Sequence, residues 1–128
     1  MRTERDMKQI LLIDDKVQLL NLLGQILKSH YSVILKTNGV EALQWMQEGN
    51  IPDLILTDIQ MPHMDGREFI KLVKTSGIFK TIPVVVLSGR ESSRDRIECL
   101  KLGASDYMSK PFNPEELVVK LDIILKNK

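Results

Sequence analysis

The chain has 128 residues, is 43% hydrophobic, and carries 18 basic against 17 acidic side chains, a formal net charge of +1. That size suits one domain spanning 1–128, with its packed part at about 8–126, and a single cysteine, Cys99, excludes a disulfide framework. The balanced charge supplies no global field toward nucleic acid or an anionic membrane. No apolar run is long enough to span a bilayer, and Met1 to Lys8 is too polar for a signal peptide, so a cytoplasmic protein without nucleic-acid or membrane partners is expected.

Five short segments rich in Ile, Leu and Val read as strands: Gln9 to Ile13, Ser32 to Leu35, Leu54 to Thr57, Pro83 to Leu87, and Tyr107 to Ser109. The first, third and fourth are nearly continuously apolar, which is the pattern of parallel strands covered on both faces, so they should form the middle of the sheet. Between the strands lie segments with helical spacing. Leu20, Leu23 and Leu27 mark the first, Ala42, Leu43 and Met46 the second, and Phe69, Leu72 and Val73 a shorter third. The fourth should run from near Ser92 to Leu102 and stop at Gly103, a residue able to take the left-handed conformation at a helix exit. The fifth opens with Asn113 as N-cap, Pro114 at the first helical position and Glu116 at the third, followed by Leu117, Leu121 and Ile124.

Five alternations of strand and helix predict an α/β fold, a doubly wound five-stranded parallel sheet of flavodoxin-like (βα)5 architecture with strand order 2-1-3-4-5. In such sheets the ligand site lies outside the carboxyl ends of the strands. The residues there are polar: Asp14 and Asp15 after the first strand, Asp58 after the third, Ser88 after the fourth, Ser109 and Lys110 after the fifth. Three clustered carboxylates repel one another and call for a compensating cation. Mg²⁺, which takes oxygen ligands and binds through one or two carboxylates plus phosphate oxygens, meets that need, with Asp15 and Asp58 as ligands. Ser88 and Lys110 are then placed to stabilise phosphoryl oxygens, with Asp58 as the nucleophile.

These residues resemble the response-regulator receiver domain of two-component systems over essentially the whole chain. The resemblance rests on Asp14-Asp15, on Asp58 followed by Met61-Pro62-His63-Met64-Asp65-Gly66, on Ser88-Gly89, and on Lys110-Pro111-Phe112. It implies that Asp58 accepts a phosphoryl group from a phosphohistidine on a histidine kinase or a histidine phosphotransfer protein. It further implies that Asp15 and Asp58 hold Mg²⁺ (Mn²⁺ as substitute) directly, with Asp14 as a second or water-linked carboxylate and the backbone carbonyl of Gln60 completing the protein ligands. By the same resemblance Ser88 moves toward the phosphoryl group and Tyr107 changes rotamer as the surface of the fourth helix, fifth strand and fifth helix rearranges to control an effector protein or tethered output domain. Lys110-Pro111 is implied to be cis, and Gln60 and Arg90 stand where members of the family tune phosphate lifetime. Gly89 departs from the more common Ala and should leave access to Asp58 open.

Taken singly, each residue has a plainer reading. Asp14-Asp15 suits a helix start, Asp58 a turn ahead of Pro62, Ser88 a cap, Lys110 a solvated cation, and Tyr107 a packing residue. It is their joint placement that argues for chemistry. His63 has no second histidine or cysteine at ligand spacing, and Cys99 and Trp45 lie within helical packing patterns. A Mg²⁺-dependent phosphohydrolase using an aspartyl phosphate would ordinarily carry an acid two residues beyond its nucleophile, where this chain has Gln60, and would need room for a cap domain. A flavodoxin-like cofactor module would place a phosphate in the first strand-to-helix turn, here occupied by Asp14-Asp15-Lys16. A degenerate receiver used as a scaffold would not need the complete set. A non-enzymatic switch is therefore expected.

Overall fold

A computed structural model of the chain describes residues 7–89 and 93–127. Its elements alternate as β1 (Gln9–Ile13), α1 (Val17–Leu27), β2 (Ser32–Lys36), α2 (Gly39–Gln47), β3 (Leu54–Thr57), α3 (Gly66–Thr75), β4 (Val84–Ser88), α4 (Ser93–Lys101), β5 (Asp106–Ser109) and α5 (Pro114–Lys126). The five strands form one sheet in the order β2-β1-β3-β4-β5, every neighbouring pair parallel. The fold class and strand order match the expectation from sequence. The three central strands are those whose apolar runs lack alternation. All residues of β3 and β4 are buried, whereas edge strand β2 is half-buried throughout.

Because successive side chains of a strand point to opposite faces, each central strand feeds two cores. Leu11, Ile13, Ile55, Val84 and Val86 face α2, α3 and α4, joining Ala42, Met46, Phe69, Ile70, Val73 and Cys99. Ile10, Leu12, Leu54, Leu56, Val85 and Leu87 face α1 and α5, joining Leu20, Leu23, Leu27, Leu117 and Leu121. Burial of each large aliphatic side chain contributes roughly 1.5–3 kcal/mol, so the two layers together anchor the sheet whose carboxyl ends carry the site.

Three helix details differ from the sequence reading. The third helix has ten residues, fewer than α1 and α5 but one more than α2, and its buried face is Gly66, Phe69, Ile70 and Val73, with Leu72 43% exposed. At about 100° per residue Leu72 lies off the arc shared by those four. In α5 the buried positions are Leu117, Leu121 and Leu125, leaving Ile124 partly buried beside them. The expected start of α4 near Ser92 lies outside the described residues. That helix ends as anticipated at Gly103, whose φ of 114° follows hydrogen bonds from Gly103 N–H to Leu100 and from Ala104 N–H to Cys99.

Candidate functional site

The backbone brings the predicted polar residues to one edge. Asp58 N–H donates to the carbonyl of Ile13 at 3.0 Å, which sets this aspartate beside the end of β1, and Lys110 N–H donates to the carbonyl of Ser88 at 2.7 Å. Asp14 is buried at 3% exposure, and its Oδ1 accepts from Lys16 N–H at 2.9 Å, turning the chain into α1, where Lys16 itself provides no side-chain cap. Asp14 thus serves the helix start that a lone acidic pair would suggest while its other oxygen is used elsewhere.

Carboxylate oxygens of Asp14, Asp15 and Asp58 lie within 4.8 Å of one another, with Asp15 exposed and the other two buried. Lys110 Nζ donates to Asp14 Oδ2 at 3.0 Å and to Asp58 Oδ2 at 3.1 Å. Burial opposes the charge on Lys110, yet its hydrogen bond to Asp14 and the charges of Asp58 and Asp14 outweigh that cost and hold its pKa above the ordinary value. Formally, three carboxylates against one ammonium leave two negative charges, the complement of a divalent cation. The donors are all oxygen, with no histidine or cysteine in the cluster, which fits Mg²⁺ or Mn²⁺ and not zinc.

The loop beyond Asp58 is held closely. Asp58 Oδ1 accepts from Ile59 N–H at 2.6 Å, Thr57 Oγ1 donates to the Asp58 carbonyl at 2.9 Å, and Gly66 N–H donates to the Ile59 carbonyl at 2.6 Å. A Cβ on Gly66 would stand 2.5 Å from the Asp58 carbonyl oxygen and 2.7 Å from Ile59 Cα, so only glycine permits this approach. His63 reaches the left-handed region, with φ 70°, at the exposed tip of the loop. Asp65 then caps α3, accepting from Arg67 N–H at 2.8 Å.

Ser88 is the last residue of β4 and is buried. Tyr107 of β5 is 6% exposed, and its hydroxyl hydrogen-bonds with the Ser88 side chain. Burial pushes the Tyr107 hydroxyl above its usual pKa, partly offset by that bond. Tyr107 therefore occupies the inward position. The Lys110–Pro111 peptide is cis. Gln60 is exposed, Arg90 lies outside the described residues, and a Cβ on Gly89 would meet no described atom within 4 Å, so the space there is open.

One polar network escaped the sequence reading. Arg67, one residue beyond Gly66, binds Asp65 through Nε at 3.2 Å, Asp95 through Nη1 at 3.0 Å, and Glu98 at 3.5 Å. Asp95 is 6% exposed. An Asp in the first turn of a helix is so common a feature of solvated helices that its burial leaves no mark in sequence.

The family model described as response regulator receiver domain matches residues 10–122. The chain is 37% identical over 120 residues to the alkaline phosphatase synthesis transcriptional regulatory protein PhoP of Bacillus subtilis, covering 93% of this chain and 49% of PhoP. It is 36% identical over 126 residues to histidine kinase P4 of Formosa agariphila, covering 98% of this chain and 9% of that protein. The chain thus spans about half the length of the first relative and under a tenth of the second. Among solved structures, the chemotaxis response regulator CheY4 of Vibrio cholerae superposes with a TM-score of 0.85 at 32% identity, over 92% of this chain and 98% of that one.

Proposed function

The chain belongs to the response regulator receiver domain family, and from that premise we propose that it is a working phospho-acceptor switch in which Asp58 takes a phosphoryl group from a phosphohistidine. The observation that carries this reading is the junction of Asp14, Asp15 and Asp58 with Lys110 Nζ between two of them. A residue set kept only as a scaffold would have no need of three adjacent carboxylates, whose mutual repulsion costs stability.

The Asp58 carboxylate oxygen attacks phosphorus as the phosphorus–nitrogen bond to the donor imidazole breaks, and the imidazole departs with the bonding electrons. Asp15, Asp58 and the Gln60 carbonyl, with Asp14 beside them, would hold Mg²⁺ (or Mn²⁺), which would supply charge neutralisation for the phosphoryl oxygens. Lys110 is already within hydrogen-bond distance of Asp58 and donates to a phosphoryl oxygen once one is attached. Ser88 donates to another, drawing on its link to Tyr107, and the surface of α4, β5 and α5 conveys the change. Gln60 and Arg90 flank the acceptor and govern how readily water reaches the acyl phosphate. The donor is a histidine kinase or histidine phosphotransfer protein, the recipient of the signal an effector protein or a tethered output domain, and the compartment the cytoplasm. No substrate is turned over apart from the domain's own phosphoryl group.

Beryllofluoride on an aspartate imitates an acyl phosphate, so titrating it with and without Mg²⁺ while following Trp45 fluorescence or NMR tests the reading directly. Saturable binding that requires Mg²⁺ and disappears in Asp58→Asn is expected. An Asp58→Asn protein that binds as the wild type does would refute the assignment.

A further inference from the structure

Helix α4 is held to the rest of the domain in an unusual way. Among its described residues the buried ones are Asp95 and Cys99, while the larger apolar side chains, Ile97 and Leu100, are 52% and 40% exposed. A helix that offers the core one thiol and one carboxylate gains little from apolar burial. The carboxylate is instead met by Arg67, whose Nη1 lies 3.0 Å from Asp95 and 3.5 Å from Glu98. Arg67 is only 27% exposed, and Asp65 fixes its other end through Nε at 3.2 Å and Nη2 at 3.4 Å. A partly buried guanidinium shared among three carboxylates carries more weight than a solvated surface pair.

Both ends of this tie touch the phosphorylation machinery. On one side, Asp65 and Gly66 close the loop that begins at Asp58, Gly66 being seated on the backbone of Asp58 and Ile59. On the other, Cys99 shares a core with Tyr107, and Asp95, one turn before Cys99, lies close enough for its charge to be felt at the Tyr107 hydroxyl, which hydrogen-bonds with Ser88. A hydroxyl has one donor and two acceptor sites, so Ser88 can turn its proton toward a phosphoryl group on Asp58 and accept from Tyr107 in exchange.

We propose that Arg67 is a positioning residue for phosphoryl acceptance: its pair with Asp95 latches the first turn of α4 beside Tyr107, keeping Tyr107 inward on Ser88 and Ser88 available to the phosphoryl group. The proposal rests on Asp58 being the acceptor. With the latch released, α4 keeps Leu102 at its far end as a large apolar anchor but none at the turn that carries Asp95, Tyr107 loses its cover, and the acceptor site must be reorganised each time it is filled.

The test is the affinity for beryllofluoride, at saturating Mg²⁺, of wild type, Arg67→Met, Tyr107→Phe and the double variant. Methionine keeps the apolar stem of Arg67 and removes the charge. Arg67→Met is expected to weaken beryllofluoride binding by about fivefold or more, the lower end of ordinary coupling between sites, with the Mg²⁺ affinity of the unliganded protein unchanged. In the Tyr107→Phe background, where the hydroxyl is already gone, the same substitution should have almost no further effect. Wild-type affinity in Arg67→Met overturns the proposal, and so does an equal loss in both backgrounds, which is what a merely structural role would give. Should Arg67→Met fail to fold, as thermal melting would reveal, the near-isosteric Asp95→Asn replaces it in the same cycle with the same outcomes. Absence of saturable binding in the wild type would count against Asp58 as acceptor, whereas wild-type binding with an indifferent Arg67 counts against the latch alone.

Discussion

At the scale of single residues, the site depends on a glycine as much as on its carboxylates. Gly66→Ala places a methyl group against backbone atoms of Asp58 and Ile59 at 2.5 and 2.7 Å, and backbone cannot move aside as a flexible side chain can. Destabilisation near the upper end of the roughly 1–3 kcal/mol typical of overpacking is expected, read from the midpoint of urea unfolding, together with weaker beryllofluoride binding because Asp58 itself is displaced. Cys99 makes a second prediction, this one about pH. Burial pushes its thiol from 9.0 up to about 11 in the folded protein. Between those values the unfolded chain has lost the proton and the folded one retains it, so stability is fully present below pH 9 and falls as pH rises through 9 toward 11. Unfolding free energies measured across that range should decline more steeply in wild type than in Cys99→Ala, and parallel slopes would show that Cys99 does not contribute.

At the scale of elements, the helices divide by how they are attached. Helix α5 has both a signalled start and a deep apolar face: Asn113 Oδ1 accepts from Glu116 N–H at 3.1 Å, Pro114 occupies the first turn, and Leu117 and Leu121 are fully buried. Asn113→Ala should cost about 1 kcal/mol in chemical denaturation, the usual loss for a cap, without altering Asp58 chemistry. A larger loss accompanied by impaired phosphorylation would mean that the cap also supports the Lys110-Pro111 turn just before it. Helix α4 is the opposite case, with a polar sequence, two small buried side chains and an ion pair as its tether. The element with the weakest apolar attachment is thus the one adjoining Tyr107, and an element of low local stability is the kind able to shift in a switch.

At the scale of the whole molecule, placing Asp14, Asp15 and Asp58 together is a cost that folding must bear. The unfolded chain separates these charges, while the folded one holds them within 4.8 Å with a single Lys110 ammonium among them. A divalent cation that binds only the folded state should therefore raise global stability, by about 2.7 kcal/mol at a hundredfold excess over its dissociation constant. Millimolar Mg²⁺ is expected to raise the thermal midpoint of the wild type and to do so much less in Asp15→Asn, while chelation reverses the gain. Equal shifts in the two proteins would place the metal elsewhere.

Much of this was legible without coordinates. The nearly continuous apolar runs of Gln9 to Ile13, Leu54 to Thr57 and Pro83 to Leu87 identified the central strands, the last of them one residue early against the observed Val84–Ser88, because a parallel strand covered on both faces has no polar side to alternate with. From the alternation of elements followed the sheet order, and from the sheet order the edge where Asp14, Asp15, Asp58, Ser88 and Lys110 would gather. Such statements are local, since each depends on residues near in sequence and on a topology that admits few alternatives. The Arg67–Asp95 tie, the seat of Gly66 on Asp58 and the exposure of Leu72 belong to the tertiary structure alone. Arg67 and Asp95 are 28 residues apart, and which arginine meets which carboxylate depends on how α3 and α4 lie across the sheet. Pattern and spacing determined which residues reach the site, whereas packing decided which of them are buried, paired and held, because burial and pairing are properties of neighbours that the chain brings from a distance.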